Sequence, residues 1–313
     1  MKYAAKKIGM MLLTMVIVSF FAFLAFQIIP GDPTTKLLGS DATAESVAAL
    51  REKLGLDRPF LQRYGEWVVN FVRGDFGVSY TYSQRVSEML SGKLAVTGLL
   101  TVIATVLIVA VSLPLGLLAA SHEEHWLSRA LTTAGQVVMA VPPFFSGILL
   151  TYVFGLLLRW FTPGGFISPR EDLGGSISYL LLPAAAIALP RIAMTVKMLR
   201  SNVLTEMDKP YVRTSESRGL RPRSILFRHV LHNAIVPVVA FLGMTVADIV
   251  AGSVVIEQVF AIPGIGRMLL SSISNRDFPV VQAIVVLLAL WVVVVNGLAD
   301  LINQRLDPRL RLQ

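Results

Sequence analysis

Two charged side chains lie well inside long apolar segments of the sequence. Arg191 falls within segment 177–200 and Asp248 within segment 233–256. A charge near the centre of a bilayer costs about 2.5–3.5 kcal/mol on insertion scales, so such residues face a cavity or a partner and not lipid. Counted at roughly 1.5 Å per helical residue from the ends that adjoin segment 201–232, Asp248 lies about 22 Å deep and Arg191 about 14 Å. Three interpretations stay open: an internal ion pair, separate polar groups lining a cavity, or contacts with a second membrane subunit.

Groups that catalyse reactions or bind metals are sparse elsewhere. The histidines all lie in polar segments: His122, His125, His229 and His232. Without cysteine, the chain has no disulfide and no thiolate metal site. It also lacks the G-x-x-x-x-G-K-[ST] phosphate loop, so it cannot supply ATP hydrolysis itself. An intramembrane enzyme would need a convergent set of reactive side chains within the apolar segments. We therefore expect no catalytic residue and no metal site, and an enzyme is the remote alternative.

The composition is that of a membrane protein. Of the 313 residues, 54% are hydrophobic and only 15% are charged, whereas soluble domains are about 25% charged. A helix of about 20 apolar residues crosses the roughly 30 Å of hydrocarbon in a bilayer. The apolar runs predict six spans, at about 8–29, 94–120, 130–158, 177–200, 233–256 and 278–300. These runs are too long and continuous for barrel strands, so we predict an all-α integral membrane protein, a six-transmembrane-helix bundle, with 1–313 as one domain.

The distribution of charge predicts the orientation in the membrane. The net charge is +8, and basic residues are in excess at the N-terminus, in segment 201–232 and in the tail after residue 303. The insert 31–94 is balanced in charge. By the positive-inside rule, both termini and 201–232 are cytoplasmic, and 31–94 is extracytoplasmic. Because topology and contacts with membrane lipids explain the basic surplus, we expect no nucleic-acid partner.

Prolines fall inside the second, third and fourth predicted spans, at Pro114, Pro142, Pro143, Pro183 and Pro190. Proline removes a backbone donor and kinks a helix. Neighbouring helices or a water-filled cavity can satisfy the freed carbonyl groups. The bends could form a flexible gate around a pathway, or they could be ordinary transmembrane prolines, and the sequence leaves both open.

The central basic segment predicts a short helix that projects from the bundle. Residues 208–219 read DKPYVRTSESRG, with Asp208 as a cap, Pro210 in the first turn and Gly219 just past the end. Pro222 can then open a second helix that continues into the fifth span. Such a helix could lie at the phosphate-rich membrane surface, or another protein could bind it.

Eight motifs follow one another along nearly the whole chain. They are PGDP at 30–33, LGLDRP at 54–59, GDFG at 74–77, YVRTSESRGL at 211–220, RHVLHNAIVPV at 228–238, IEQVFAIPGIGR at 256–267, RDFPVVQ at 276–282 and LDPRLR at 306–311. With these motifs the chain resembles the inner-membrane permease subunits of ABC importers in the dipeptide, oligopeptide and nickel group. More narrowly, it is similar to the first permease of the pair that such systems use.

The resemblance implies a type I ABC importer permease with a short cytoplasmic coupling helix, in a bacterial or archaeal cytoplasmic (inner) membrane. It implies small peptides as substrates, with nickel or a metal chelate as the alternative. The implied partners are a second permease in a heterodimer, an extracytoplasmic solute-binding protein and two ATP-binding subunits, which bind the ATP and Mg. No cofactor is expected in this chain, and Asp248 and Arg191 would line the translocation pathway.

Within the segment 211–220, the resemblance implies a contact with the ATPases. The residues expected there are Thr214, Ser215, Glu216, Arg218, Gly219 and Leu220. The family usually has Ala where this chain has Ser215 and Ser217, and a basic residue at the position of Glu216.

Overall fold

The computed structural model describes residues 2–28, 34, 38, 43–53, 55 and 57–306. Within these residues the only β-structure is an isolated antiparallel bridge between Val78 and Arg85. The all-α class predicted from the apolar runs is therefore confirmed. The motif at 30–33, all but the first residue of the motif at 306–311 and parts of the insert 31–94 lie outside the described residues.

The helices follow one another with few long connections. In chain order they are α1 Lys2–Ile28, α2 Ala44–Lys53, α3 Phe60–Val72, α4 Val86–Ser121, α5 Trp126–Ala140, α6 Pro143–Leu150, α7 Leu173–Met207, α8 Pro210–Ser217, α9 Pro222–Ile225, α10 Leu231–Val259, α11 Ile265–Ser274 and α12 Phe278–Leu306. Two π-helical segments complete the list: Thr151–Leu157 continues α6, and Leu226–Val230 joins α9 to α10.

Five of the described helices are long and apolar enough to cross a membrane, and a bent pair makes a sixth if it is one span. The five correspond to the predicted first, second, fourth, fifth and sixth spans. The second begins earlier than predicted, because α4 starts at Val86 and already buries Val86 and Leu90. The end of the predicted insert is therefore part of this helix.

The predicted third span, 130–158, is not one continuous helix. α5 meets α6 and its π-helical continuation at a bend of 102°. Val141 and Pro142 at the break are extended, with ψ angles of 122° and 142°. Proline lacks a backbone donor and disfavours a helical conformation in the residue before it, and here Pro142 and Pro143 follow in succession. By contrast, the single prolines Pro114, Pro183 and Pro190 stay inside α4 and α7.

The chain divides into two compact units, one of residues 1–95 and 263–294 and the other of residues 96–262 and 295–313. In the first unit, rings of α1 pack edge to face on rings of α3, as Phe20 does on Phe60 and Tyr64. The hydroxyl groups of Ser19 and Tyr64 are 2.8 Å apart and hydrogen-bonded.

The second unit has a core of α4, α7 and α10. The buried side chains include Leu100 and Ile108 of α4, Leu180 and Ile187 of α7, and Ile249 of α10. Small residues on α7, among them alanines 184, 186 and 188, are fully buried and let the helices approach closely. This core fixes the two helices that carry Arg191 and Asp248.

Candidate functional site

The short helix predicted in the central basic segment is α8, directly after the long helix α7. Its N-cap is Lys209, which is extended with φ −74° and ψ 147°, and Pro210 occupies the first turn. The predicted cap, Asp208, is wrong. Asp208 is the C-cap of α7, with a helical backbone whose N–H donates to the carbonyl groups of Leu204 and Glu206.

One buried side chain fastens α8 to the second unit. Val212 is 1% exposed and belongs to a cluster with Val203 of α7, Ile225 of α9 and Val230. Ala234 at the start of α10 completes the contact with the membrane-spanning helices. α8 therefore packs against segments that lead into both α7 and α10.

A polar network on the same side reinforces this attachment. The Tyr211 hydroxyl donates to Oε2 of Glu206 at 2.8 Å and accepts from Nδ2 of Asn233 at 3.4 Å. Lys209 forms an ion pair with Glu206. Burial raises the pKa of Tyr211 above its ordinary value, so the phenol stays protonated at neutral pH and can donate. Tyr211 thus links the ends of α7 and α10.

The C-terminal end of α8 is a Schellman motif. The N–H of Gly219 donates to Glu216 O at 2.8 Å, and the N–H of Leu220 donates to Ser215 O at 3.3 Å. Gly219 has φ +75°, the left-handed conformation that this motif requires and that a Cβ disfavours. The predicted role of Gly219 in ending the helix is therefore confirmed, and the chain turns sharply into α9 at Pro222.

The predicted coupling residues lie on α8 and in the turn that follows it. All but one of them are exposed: Thr214, Glu216, Arg218, Gly219 and Leu220. Ser215 is half-buried, and its hydroxyl donates to Tyr211 O at 2.9 Å. The side of α8 that carries Val212 is thus held by the protein, and the other side is available to a partner.

Arg191 and Asp248 lie on α7 and α10 of the second unit. Asp248 is exposed and Arg191 is half-buried. Among the described residues no ion pair joins them, so their charged atoms are more than 4.0 Å apart. They nevertheless interact electrostatically. A Cβ placed on Gly252 would lie 3.6 Å from Nη2 of Arg191, so the guanidinium reaches α10 one turn beyond Asp248.

Sequence reasoning missed Glu257, a fully buried carboxylate at the end of α10. Its Oε1 accepts hydrogen bonds from Thr97 Oγ1 of α4 at 2.7 Å and from Ser253 Oγ at 3.2 Å. Glu257 lies just past the predicted end of the fifth span at residue 256, so it was not counted among the charges within spans. Its place in the IEQVFAIPGIGR motif was the available signal.

Asp277 of the first unit was missed in the same way. It is fully buried, and its carboxylate accepts from Ser79 Oγ at 2.5 Å, Tyr80 N at 3.0 Å and Thr81 N at 3.4 Å. Burial raises the pKa of Tyr80, and the charge of Asp277 acts in the same direction. Asp277 therefore fastens the turn that precedes α4 to the start of α12.

Comparison with known proteins decides the family. Residues 112–312 match the binding-protein-dependent transport system inner membrane component, and residues 1–101 match the N-terminal part of such membrane components. The chain belongs to this family of transport permeases. The resemblance inferred from the ordered motifs is thereby confirmed, as is a multi-pass membrane protein.

Relatives of this permease cover it from end to end. A probable peptide ABC transporter permease of Sinorhizobium fredii is 34% identical over 309 residues, 99% of each chain. An oligopeptide transport system permease of Bacillus subtilis is 33% identical over 296 residues, 94% of each chain. A glutathione transport system permease of Escherichia coli is 29% identical over 311 residues, 99% of each chain.

The names of the relatives bear on the enzyme prediction. They are transport permeases by name, in agreement with the prediction that the chain is not an enzyme. Within the described parts of the chain, no group of three or more His, Cys, Asp or Glu side chains could hold a metal ion. The hydrolysis of ATP by partner subunits, the orientation of the termini and the roles of individual residues stay predictions.

Proposed function

We propose that this permease is one half of the membrane channel of an ATP-driven importer of small peptides. The observation that carries the proposal is α8, an exposed short helix that is fixed to the two membrane-spanning helices beside it. The printed functions of the relatives, which are peptide, oligopeptide and glutathione transport, favour peptides as the cargo. No observation favours the nickel alternative.

In this proposal α8 couples ATP hydrolysis to transport. Two nucleotide-binding subunits would bind the ATP and Mg, and one of them would hold the exposed residues of this chain from Thr214 to Leu220. A movement of α8 would pass through Val212 into the buried cluster with α7 and α10, and through Tyr211 to Glu206 and Asn233. Close packing supports such a transfer, because packed interfaces have discrete arrangements and deform little between them.

The proposal also assigns the other partners and the orientation. A second permease completes the pathway in a heterodimer. An extracytoplasmic solute-binding protein delivers the cargo, and the description of the family as binding-protein-dependent supports this partner. The excess of basic residues supports cytoplasmic termini and a cytoplasmic α8. Arg191 and Asp248 would face the pathway, since a charged pair without an ion-pair contact is costly against lipid.

A charge reversal on α8 tests the proposal. Arg218→Glu removes an exposed cation from the expected ATPase contact, so less ATPase should co-purify with the permease pair and peptide uptake into proteoliposomes should fall. Arg129→Glu is the matched control, because Arg129 is also exposed but lies on α5. Peptide uptake by the permease without ATPases or ATP would contradict the proposal. Equal ATPase recovery with both variants would contradict the assignment of α8.

A further inference from the structure

Two opposite charges lie close together on the membrane-spanning part of the second unit. The guanidinium of Arg191 reaches α10 at Gly252, whose missing side chain leaves the α10 surface open beside Nη2. Asp248 precedes Gly252 by one helical turn, a rise of about 6 Å. The cation and the anion are therefore offset along α10 by about one turn, with the cation nearer to the end of α10 at Val259.

Arg191 and Asp248 do not form a direct ion pair. Neither of them has an ion-pair partner within 4.0 Å among the described residues. Each therefore keeps hydrogen-bonding capacity for a further group, since a guanidinium has five N–H donors and a carboxylate accepts at two oxygens. An internal ion pair, one of the three interpretations that the sequence left open, would have used that capacity.

The surface beside the two charges is apolar but adaptable. Met194 follows Arg191 on α7 and is 50% exposed, and Met244 precedes Asp248 by one turn on α10 and is 57% exposed. Unbranched methionine side chains adjust to irregular shapes, and binding surfaces that accept many partners use them. On the same side of α10, Ala251 and Gly252 are exposed and add little bulk.

These features match the chemistry of a short zwitterionic peptide. An extended dipeptide spans at most about 7 Å at 3.3–3.6 Å per residue, close to the offset of one helical turn between the charges. A guanidinium binds a carboxylate through two parallel hydrogen bonds, and a carboxylate binds an ammonium group. Methionine side chains tolerate variation in the two side chains of such a peptide.

We propose that Arg191 and Asp248 form a transient binding site that holds a dipeptide by its two termini during passage. Arg191 takes the C-terminal carboxylate and Asp248 the N-terminal ammonium group, with Met194 and Met244 against the side chains. This site rests on the proposed function, which it deepens by adding a substrate class: free dipeptides over longer peptides or peptides with blocked termini. We expect this site to bind the dipeptide weakly, because a site on a transport pathway must also release its cargo.

The first test is independent of the partner that delivers the cargo. Because the chain has no cysteine, Ala251→Cys places a thiol at an exposed position beside the two charges and keeps both of them. Its reaction with small methanethiosulfonate reagents can be timed in the permease pair purified with a cysteine-free partner. Adding Arg191→Gln should lower the rate with the anionic reagent relative to the rate with the cationic one, and adding Asp248→Asn should raise this ratio. Free dialanine at millimolar concentration should slow the reaction, and its N-acetylated amide should not.

The second test measures transport by the complete importer with its solute-binding protein. Asp248→Asn and Arg191→Gln should each lower dialanine uptake by roughly tenfold, the effect of losing one charge-assisted contact, with normal recovery of the complex. Arg129→Gln, at an exposed arginine outside the site, should transport normally.

Three results would overturn the site. They are an unreactive thiol in the assembled pair, equal protection by free and blocked dialanine, and full uptake by both single variants. Failed assembly of each single variant with rescue by the double variant would also overturn it, because it would establish an ion pair. If the wild-type complex transports no peptide although dialanine protects the thiol, the proposed function fails and the binding site stands.

Discussion

At the scale of single residues, Gly219 has the most specific structural requirement in the coupling segment. A Cβ at this position would meet no atom within 4 Å, so space does not restrict the residue type. The restriction comes from the backbone, because φ +75° lies in the left-handed region and the Schellman motif depends on it. A substitution here therefore tests conformation separately from packing.

We predict that Gly219→Val lowers transport while the permease still inserts in the membrane. A β-branched residue in the left-handed region costs of order 1–3 kcal/mol, so the end of α8 should change conformation and hold the ATPases less well. Gly219→Asn is the matched control, because Asn tolerates this conformation best after Gly. Uptake and co-purified ATPase are the measurements. Wild-type uptake and ATPase recovery for the Val variant would show that coupling does not depend on the left-handed conformation of this turn.

Thr97 is the residue whose hydroxyl joins α4 to the buried Glu257. Thr97→Val keeps the shape of the side chain and removes the donor, which should destabilise the folded protein by about 1–3 kcal/mol. Thr105→Val removes a hydroxyl of the same helix that donates only to Thr101 O, and it should cost less. Thermal unfolding of the two variants in detergent compares them. Equal melting temperatures would mean that the hydrogen bond from Thr97 to Glu257 contributes no more to stability than the one from Thr105 to Thr101.

At the scale of elements, the break between α5 and α6 is the feature that the apolar pattern does not contain. Both halves are apolar, and together they have the length of one span, so hydropathy predicts a single helix over 130–158. The single prolines of α4 and α7 stay inside their helices. Pro142 and Pro143 instead lie at a break, because each of two successive prolines disfavours a helical conformation in the residue before it.

We predict that the double substitution Pro142→Ala with Pro143→Ala straightens this segment. Spin labels at the exposed positions Leu127 and Leu156 should then move apart, from about 28 Å toward about 45 Å for helices that rise 1.5 Å per residue. Electron paramagnetic resonance distances in the wild-type and Ala backgrounds make the comparison. An unchanged distance would mean that tertiary packing causes the bend and that the prolines are only compatible with it.

At the scale of the whole molecule, the sequence predicts the features that the lipid environment requires, which are the helical class and the membrane spans. Helices must satisfy their own backbone groups in hydrocarbon, so apolar length alone located five of the spans and the all-α class. The charge pattern and turn residues located α8. The buried acids could not be found in this way, because their partners are distant in sequence: Thr97 is 160 positions from Glu257, and Ser79 is 198 positions from Asp277.

The side of the membrane on which α8 lies tests the central claim most directly. Glu216→Cys places one exposed thiol on α8 of a chain without cysteine, and a membrane-impermeant maleimide reports its accessibility. We predict no labelling in intact cells, labelling in inside-out vesicles stripped of ATPases, and protection when the ATPases are restored. Labelling of this thiol from outside intact cells would contradict a cytoplasmic α8 and with it the proposed coupling to ATP hydrolysis.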